Sequence, residues 1–301
     1  MMKKLLTTLL IFVAFQVATA QLSINYLKES LPIIKNNTTY VVIGDLESPE
    51  AKVYMDLYKK FWTISKIEFI TIEDMRKHYK ENTPFITFSK VDESIYSSKG
   101  SIDYTSYEWD LWICNARGVK KLDKEGPYYH RDKVANYQLT FAYGGNGDGK
   151  NKYFEPEEAI EIFKPGNAKN VIQWVNSCLE DGQEFQYGNS FTDKAELDNL
   201  KKGTLYVPKE IFDAPADITE FFAKYPYKYE VVSLDDLDDK IMEDEDGFYY
   251  LHFLCTRVYR VPSVINSKTG KVIYARNMIA LASKVKIIKR DIETLASTIG
   301  K

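Results

Sequence analysis

The run Gly144-Gly-Asn-Gly-Asp-Gly149-Lys150 has the spacing of a phosphate-binding loop, and a strand-like stretch, Tyr137 to Tyr143, precedes it. Such a loop cradles phosphates on backbone N–H groups, sets lysine on the outer phosphates and ends in Ser or Thr for magnesium. Here Asn151 follows, which cannot supply that hydroxyl, and Pro156 stops any helix whose dipole could point at the site. A calcium loop fits little better. Asn146, Asp148 and Glu155 offer oxygens, but Lys150 and Asn151 stand where another oxygen ligand and then glycine belong. The stretch is expected to be a hairpin tip, with no cofactor and no metal.

Other reactive types are scattered. His78, His130 and His252 have no neighbouring Cys or carboxylate at metal-ligand spacing. Gly188-Asn-Ser190 begins like a nucleophile elbow but lacks its second glycine. Asp235, Asp236, Asp238 and Asp239, followed by Glu243 to Asp246, read as the solvated face of a helix whose first acids favour its positive end. No catalytic set emerges. The binding candidates are Tyr128, Tyr129, His130 and Arg131, a loop mixing aromatic and charged groups as contact surfaces do, and Trp109 in an aromatic strand. If Trp109 is uncovered it can hold a sugar, peptide or protein; helices or the other half of the chain can equally bury it.

The amino end reads as a secretory leader over residues 1–20. Lys3 and Lys4 precede an apolar run, Leu5 to Val17, too short to span a bilayer, and Ala18-Thr-Ala20 is a small-x-small cleavage site. The expected mature chain starts at Gln21 and is periplasmic or secreted, with no membrane span. Gln21 in place of cysteine argues against a lipid anchor. Loss of Lys3 and Lys4 moves the formal charge from −3 to −5, unlike a nucleic-acid binder. Cys114, Cys178 and Cys255 make no C-x-x-C and no framework, leaving three buried thiols or one disulfide plus a thiol as the alternatives.

These residues sit on a chain that repeats itself. Lys66-Ile-Glu-Phe-Ile-Thr-Ile-Glu-Asp-Met75 recurs as Lys228-Tyr-Glu-Val-Val-Ser-Leu-Asp-Asp-Leu237, and Thr39-Tyr-Val-Val42 is echoed by Thr204-Leu-Tyr-Val207. Ser48-Pro49-Glu50 opens a helix with a hydroxyl cap, proline in the first turn and a carboxylate at the positive end. Val53, Tyr54, Leu57, Tyr58 and Phe61 then form its apolar stripe. In the second copy Asp213 and Pro215 play the opening role. The pattern predicts an α/β (mixed α+β) chain of two tandem βαβαβ(β)α units, each a small mixed sheet covered by helices. The first spans 21–182 with an insertion at about 118–166, the linker 183–202, and the second unit 203–301.

Tyr229-Glu-Val-Val-Ser-Leu-Asp-Asp-Leu237, the strand after it and the hairpin carrying Thr269-Gly270-Lys271-Val272 resemble, over about a hundred residues, a small α/β module. That module occurs at the amino end of the Tol-system β-propeller protein and in the curli-secretion lipoprotein family. The resemblance implies an envelope part that binds other proteins. The chain departs in having no propeller repeats, no lipid-attachment cysteine and no pore segment, so no functional residue carries over. The expectation is a non-catalytic envelope or extracellular binding or assembly protein with a protein or glycan partner. The alternative is a hydrolase of unfamiliar type with its site between the halves.

Overall fold

A computed structural model describes residues 22–25, 27–97, 100–125, 131–143, 164–186, 190–212, 218–243, 246–255, 259–279 and 286–301. The expected leader, Tyr128 to His130, the Gly144–Lys150 run, Asp213 and Pro215 lie outside the described residues. No described helix is long and apolar enough to cross a membrane.

The first unit runs β1 (Leu22–Ile24), α1 (Leu27–Asn36), β2 (Thr39–Val42), α2 (Pro49–Phe61), β3 (Ile67–Ile70), α3 (Met75–His78), β4 (Pro84–Ser97), β5 (Gly100–Cys114), α4 (Ala116–Glu125), β6 (Arg131–Tyr143) and α5 (Pro165–Asp181). After β7 (Phe185–Gln186) the second runs β8 (Phe191–Thr192), α6 (Lys194–Leu200), β9 (Thr204–Pro208), α7 (Ile218–Phe221), β10 (Lys228–Val232), α8 (Leu234–Glu243) and β11 (Tyr249–Cys255). It continues with β12 (Tyr259–Asn266), β13 (Val272–Ala275), β14 (Met278–Ile279) and α9 (Lys289–Ile299). The strand orders are β3-β2-β4-β5-β6-β1-β7 and β10-β9-β11-β12-β13-β8, with β14 on β12. In each sheet the first three strands are parallel and the following ones antiparallel, so both units are mixed α/β on one plan.

Register makes the likeness residue-specific. Glu68 pairs with Tyr40 as Glu230 pairs with Tyr206. Tyr40 pairs onward with Phe85 as Tyr206 does with Tyr250, and those with Trp112 and Ile265. Both sheets then carry a β-bulge at the equivalent step, between Leu111 and Trp112 and between Val264 and Ile265. A bulge bends a strand at one chosen residue, so its recurrence is a shared constructional feature. The register also corrects the upstream echo. Tyr40 and Val41 match Tyr206 and Val207, one place away from the alignment of Thr39 with Thr204. Burial agrees, since Thr39 and Val41 are buried like Leu205 and Val207, and a one-residue slip would exchange the faces.

Local signals explain most boundaries. Ser48 Oγ accepts the Ala51 N–H at 3.1 Å and starts α2. Gly182, at φ 64, ends α5 in the left-handed region. Three stretches differ from expectation. Residues 183–202, expected as linker, hold β7, β8 and α6, of which β8 and α6 match β1 and α1. The expected insertion contains β6, the counterpart of β13; α4, between β5 and β6, has no counterpart between β12 and β13. The stretch Glu73 to Glu81, built of residues that suit a helix, is helical only over Met75–His78.

Helix α5 joins the units. It packs against α2 on one side and α8 on the other, and 12 of its 17 residues are buried. Several of its polar side chains therefore find partners outside the helix. Asn170 Nδ2 donates to the Ser267 carbonyl at 2.7 Å, and Tyr250 Oη donates to Asn170 Oδ1 at 2.8 Å. Lys169 Nζ donates to the Ile241 carbonyl at 2.6 Å. On the other side Asn176 Oδ1 accepts the N–H groups of Thr63 and Ile64. The backbones meet closely. A Cβ on Gly270 would stand 2.0 Å from the Asn170 carbonyl oxygen, and Gly270 also has φ 69. Gly270→Ala is expected to destabilise the chain by about 3 kcal/mol or more in urea titrations. Gly182→Ala, at φ 64 with open space around it, should lose about 1 kcal/mol.

Candidate functional site

The connection from β2 through α2 leads outward to β3, and the next one returns past β2 to β4 through α3. Right-handed crossovers in opposite directions place α2 and α3 on opposite faces. A crevice therefore opens beyond the carboxyl end of β2, beside Ile86 and Phe88 near the start of the long β4, and the ends of parallel strands are where open α/β sheets hold ligands. A cavity of about 310 Å³ lies there. Val41 to Gly44 and Ile86 form one wall, Ala51, Tyr54 and Tyr58 of α2 another. Trp109 lies at the floor and Ala168 of α5 closes the far side. Phe88 is 46% exposed at the rim beside the exposed Gly44, whereas Trp109 is only 2% exposed.

The lining is apolar, with few polar groups. Trp109 Nε1 donates to Tyr58 Oη at 2.6 Å. Burial pushes the Tyr58 hydroxyl well above the usual phenol range, so it keeps its proton. No described residue accepts that proton. Burial also raises Tyr54, with the Asp238 charge adding to the effect.

Next to this cavity the seam between the units holds a second cluster. Asp238 belongs to the acidic run expected to be a solvated face, yet it turns inward and accepts the Gly166 N–H at 2.7 Å. It thus caps a helix of the other unit at its positive end. Burial raises its carboxyl, and the Gly166 bond opposes the rise. Lys164 pairs with Asp235 beside it. His252 of β11 is buried, with Asn167 Nδ2 at 3.2 Å and Tyr137 Oη at 3.3 Å from its Nε2, and Ser263 Oγ 3.5 Å from Nδ1. The Asn167 amide nitrogen can only donate, so Nε2 accepts from it, as a neutral ring allows. Burial lowers its pKa to about 4. A void of about 30 Å³, lined by Asn167, Asp238 and His252 among others, is water-sized.

Of the sequence candidates, Trp109 joins the cavity as its buried floor and makes no open surface. Arg131 opens β6, and Tyr128, Tyr129 and His130 lie outside the described residues. Tyr54 and Tyr58 were visible only as part of a helical stripe; no sequence signal marked the strand ends they face. Cys114 and Cys178 are free and buried, their thiols pushed up to about 11 and about 12 by burial, as inert structural cysteines are. Among the described residues no group of three or more His, Cys, Asp or Glu could hold a metal ion. Comparison with protein families, with curated proteins and with solved structures finds no match to the chain.

His252 makes the seam pH-sensitive. The unfolded imidazole titrates near 6.5 and the folded one near 4, so between them the unfolded chain binds the extra proton. The stabilisation is full above about pH 6.5 and falls by up to about 3 kcal/mol as pH drops toward 4. Asn167, Tyr137 and Ser263 surround the ring, with Asp238 and Lys164 beyond across the void. Urea midpoints taken from pH 7 to 4.5 should decline, and His252→Gln should flatten that slope. The loss at lower pH from carboxylates such as Asp193, held below its usual range by Lys271, should persist in both chains.

Proposed function

We propose that the chain is a non-catalytic binding protein of the cell envelope or exterior, and that its first unit holds a small apolar ligand at the carboxyl end of β2, beside Ile86 and Phe88 of β4. The observation that carries this reading is the cavity of about 310 Å³ between the sheet and α2. Its volume falls at the lower end of the range for small-molecule sites, and an apolar lining with a few polar groups is their usual make-up. The two copies differ at this place. Phe88 and Phe253 occupy the same register position, but Phe253 is only 4% exposed, under the Arg260 guanidinium. Phe212 and Phe222 are buried beside α7. One copy thus keeps open a space that the other packs with side chains.

The expected leader and the likeness of the second unit to envelope modules support the compartment. A protein or glycan partner remains part of the proposal, at the loop around Tyr128 to Arg131. The rival, a hydrolase working between the halves, would draw on His252 and Asp238. Both are engaged in packing the seam, Asp238 on the Gly166 N–H and His252 against Asn167 and Tyr137, so the cavity favours binding.

The test is titration of the purified chain with N-phenyl-1-naphthylamine, a neutral dye whose emission rises in apolar sites. Saturable one-to-one binding is expected. Ala51→Leu, which extends a side chain into the cavity, should weaken it at least about tenfold while leaving the circular dichroism of the fold intact. No binding by the unaltered chain, or equal binding by the variant, overturns the proposal.

A further inference from the structure

We infer that the ligand is a neutral molecule of about two rings carrying one hydrogen-bond acceptor, a carbonyl or ether oxygen, which Tyr58 recognises. This rests on the proposed binding role and specifies its chemistry. Three observations lead to it.

The first is size. A dry cavity of about 150 Å³ accommodates one benzene. A volume of about 310 Å³ has room for twice that.

The second is the direction of the one fixed polar group. Trp109 Nε1 has no acceptor capacity and donates to the Tyr58 oxygen. The indole thereby takes up a lone pair of the hydroxyl and leaves its proton as the group to be satisfied. Tyr58 is held from α2 and Trp109 from β5, so the donor is fixed by two elements before any ligand arrives. Because burial keeps the phenol protonated, it donates at every physiological pH. A ligand that offers an acceptor there gains a hydrogen bond in an apolar setting. One that offers only a donor leaves two protons facing each other.

The third is charge. Among the described lining residues none is ionisable apart from the two tyrosines. The Asp238 carboxylate acts on Tyr54 and so disfavours an anion on that side. A cation meets no carboxylate within the lining itself. An ionised ligand would thus lose its hydration without a partner.

The experiment compares three probes of one size by calorimetry on the purified chain: 2-acetylnaphthalene, 2-ethylnaphthalene and 2-naphthoate. The ketone is expected to bind about fivefold to tenfold more tightly than the hydrocarbon, and the carboxylate more weakly than both. In Tyr58→Phe the ratio of ketone to hydrocarbon affinity should collapse to about one. Equal affinities for ketone and hydrocarbon in the unaltered chain overturn the acceptor assignment and leave the binding role standing. Tightest binding of the naphthoate overturns the neutral class. A ratio kept in Tyr58→Phe removes Tyr58 as the donor. Failure of all three probes, together with the dye, overturns the binding role itself. The comparison within the unaltered chain decides the ligand class even if Tyr58→Phe does not fold.

Discussion

The structure depends on how α5 is buried. A helix covered on both sides must satisfy its polar side chains inside the protein, because each one left unpaired loses about 1–3 kcal/mol. Asn167, Lys169 and Asn170 reach the second unit, at His252, the Ile241 carbonyl and the Ser267 carbonyl, while Asn176 reaches back to Thr63 and Ile64 in the first. A rotation of the helix by one residue would break all of these together. The register between the units is therefore fixed by polar groups, and the apolar core alone would fix it less sharply. The cavity inherits this constraint. Ala168, its far wall, lies between Asn167 and Lys169, so the second unit positions one wall of a site in the first.

The two units stack in the same orientation, and their outward faces reflect it. The sheet face that carries Tyr250 and His252 in the second unit is covered by α5 of the first. The matching face of the first unit is more highly charged. There Asp110 is buried, bonded to Asn136 at 2.5 Å and to Lys133 at 3.1 Å, with Glu108 also on Lys133. At the register positions of Glu108, Asp110, Lys133 and Asn136 the second unit has Val261, Ser263, Val272 and Ala275. Charged and amide side chains in the first unit thus stand where the second has three apolar residues and a serine.

Much of this was legible in the sequence wherever a short signal has one physical meaning. Ser48 before Pro49 sets a helix start, glycine at 270 sets a left-handed turn, and Lys66 to Met75 against Lys228 to Leu237 set a repeated unit. What was missed follows from the same physics. The strands β1 and β8 are only three and two residues long, too short for an alternation to show, so α6 was absorbed into a linker. Tyr137 to Tyr143 looked strand-like, but its pairing with β5 and β1 is a long-range fact that no local pattern carries. The upstream echo was misplaced by one residue because Thr39 and Thr204 are identical, and only cross-strand pairing separates identity from equivalence. Asp238 was read with its acidic neighbours, since helical spacing does not reveal that a foreign helix ends above it.

The last step concerns why one copy kept the cavity. Trp109 and Pro262 occupy the same register position, opposite Phe88 and Phe253. Proline there has neither an indole N–H to fix a phenol nor a large ring to floor a crevice, and the described helix at that point in the second unit is one turn long where α2 has 13 residues. In the second unit Phe253 lies under Arg260, which is in turn fixed by Asp291 of α9 at 2.6 Å. The long α2 stands across the sheet and brings two tyrosines over the strand ends instead. The identity of a few side chains, Trp109 against Pro262 and the tyrosines of α2, thus separates a packed core from a chemically one-sided crevice, on a backbone plan that the two units share.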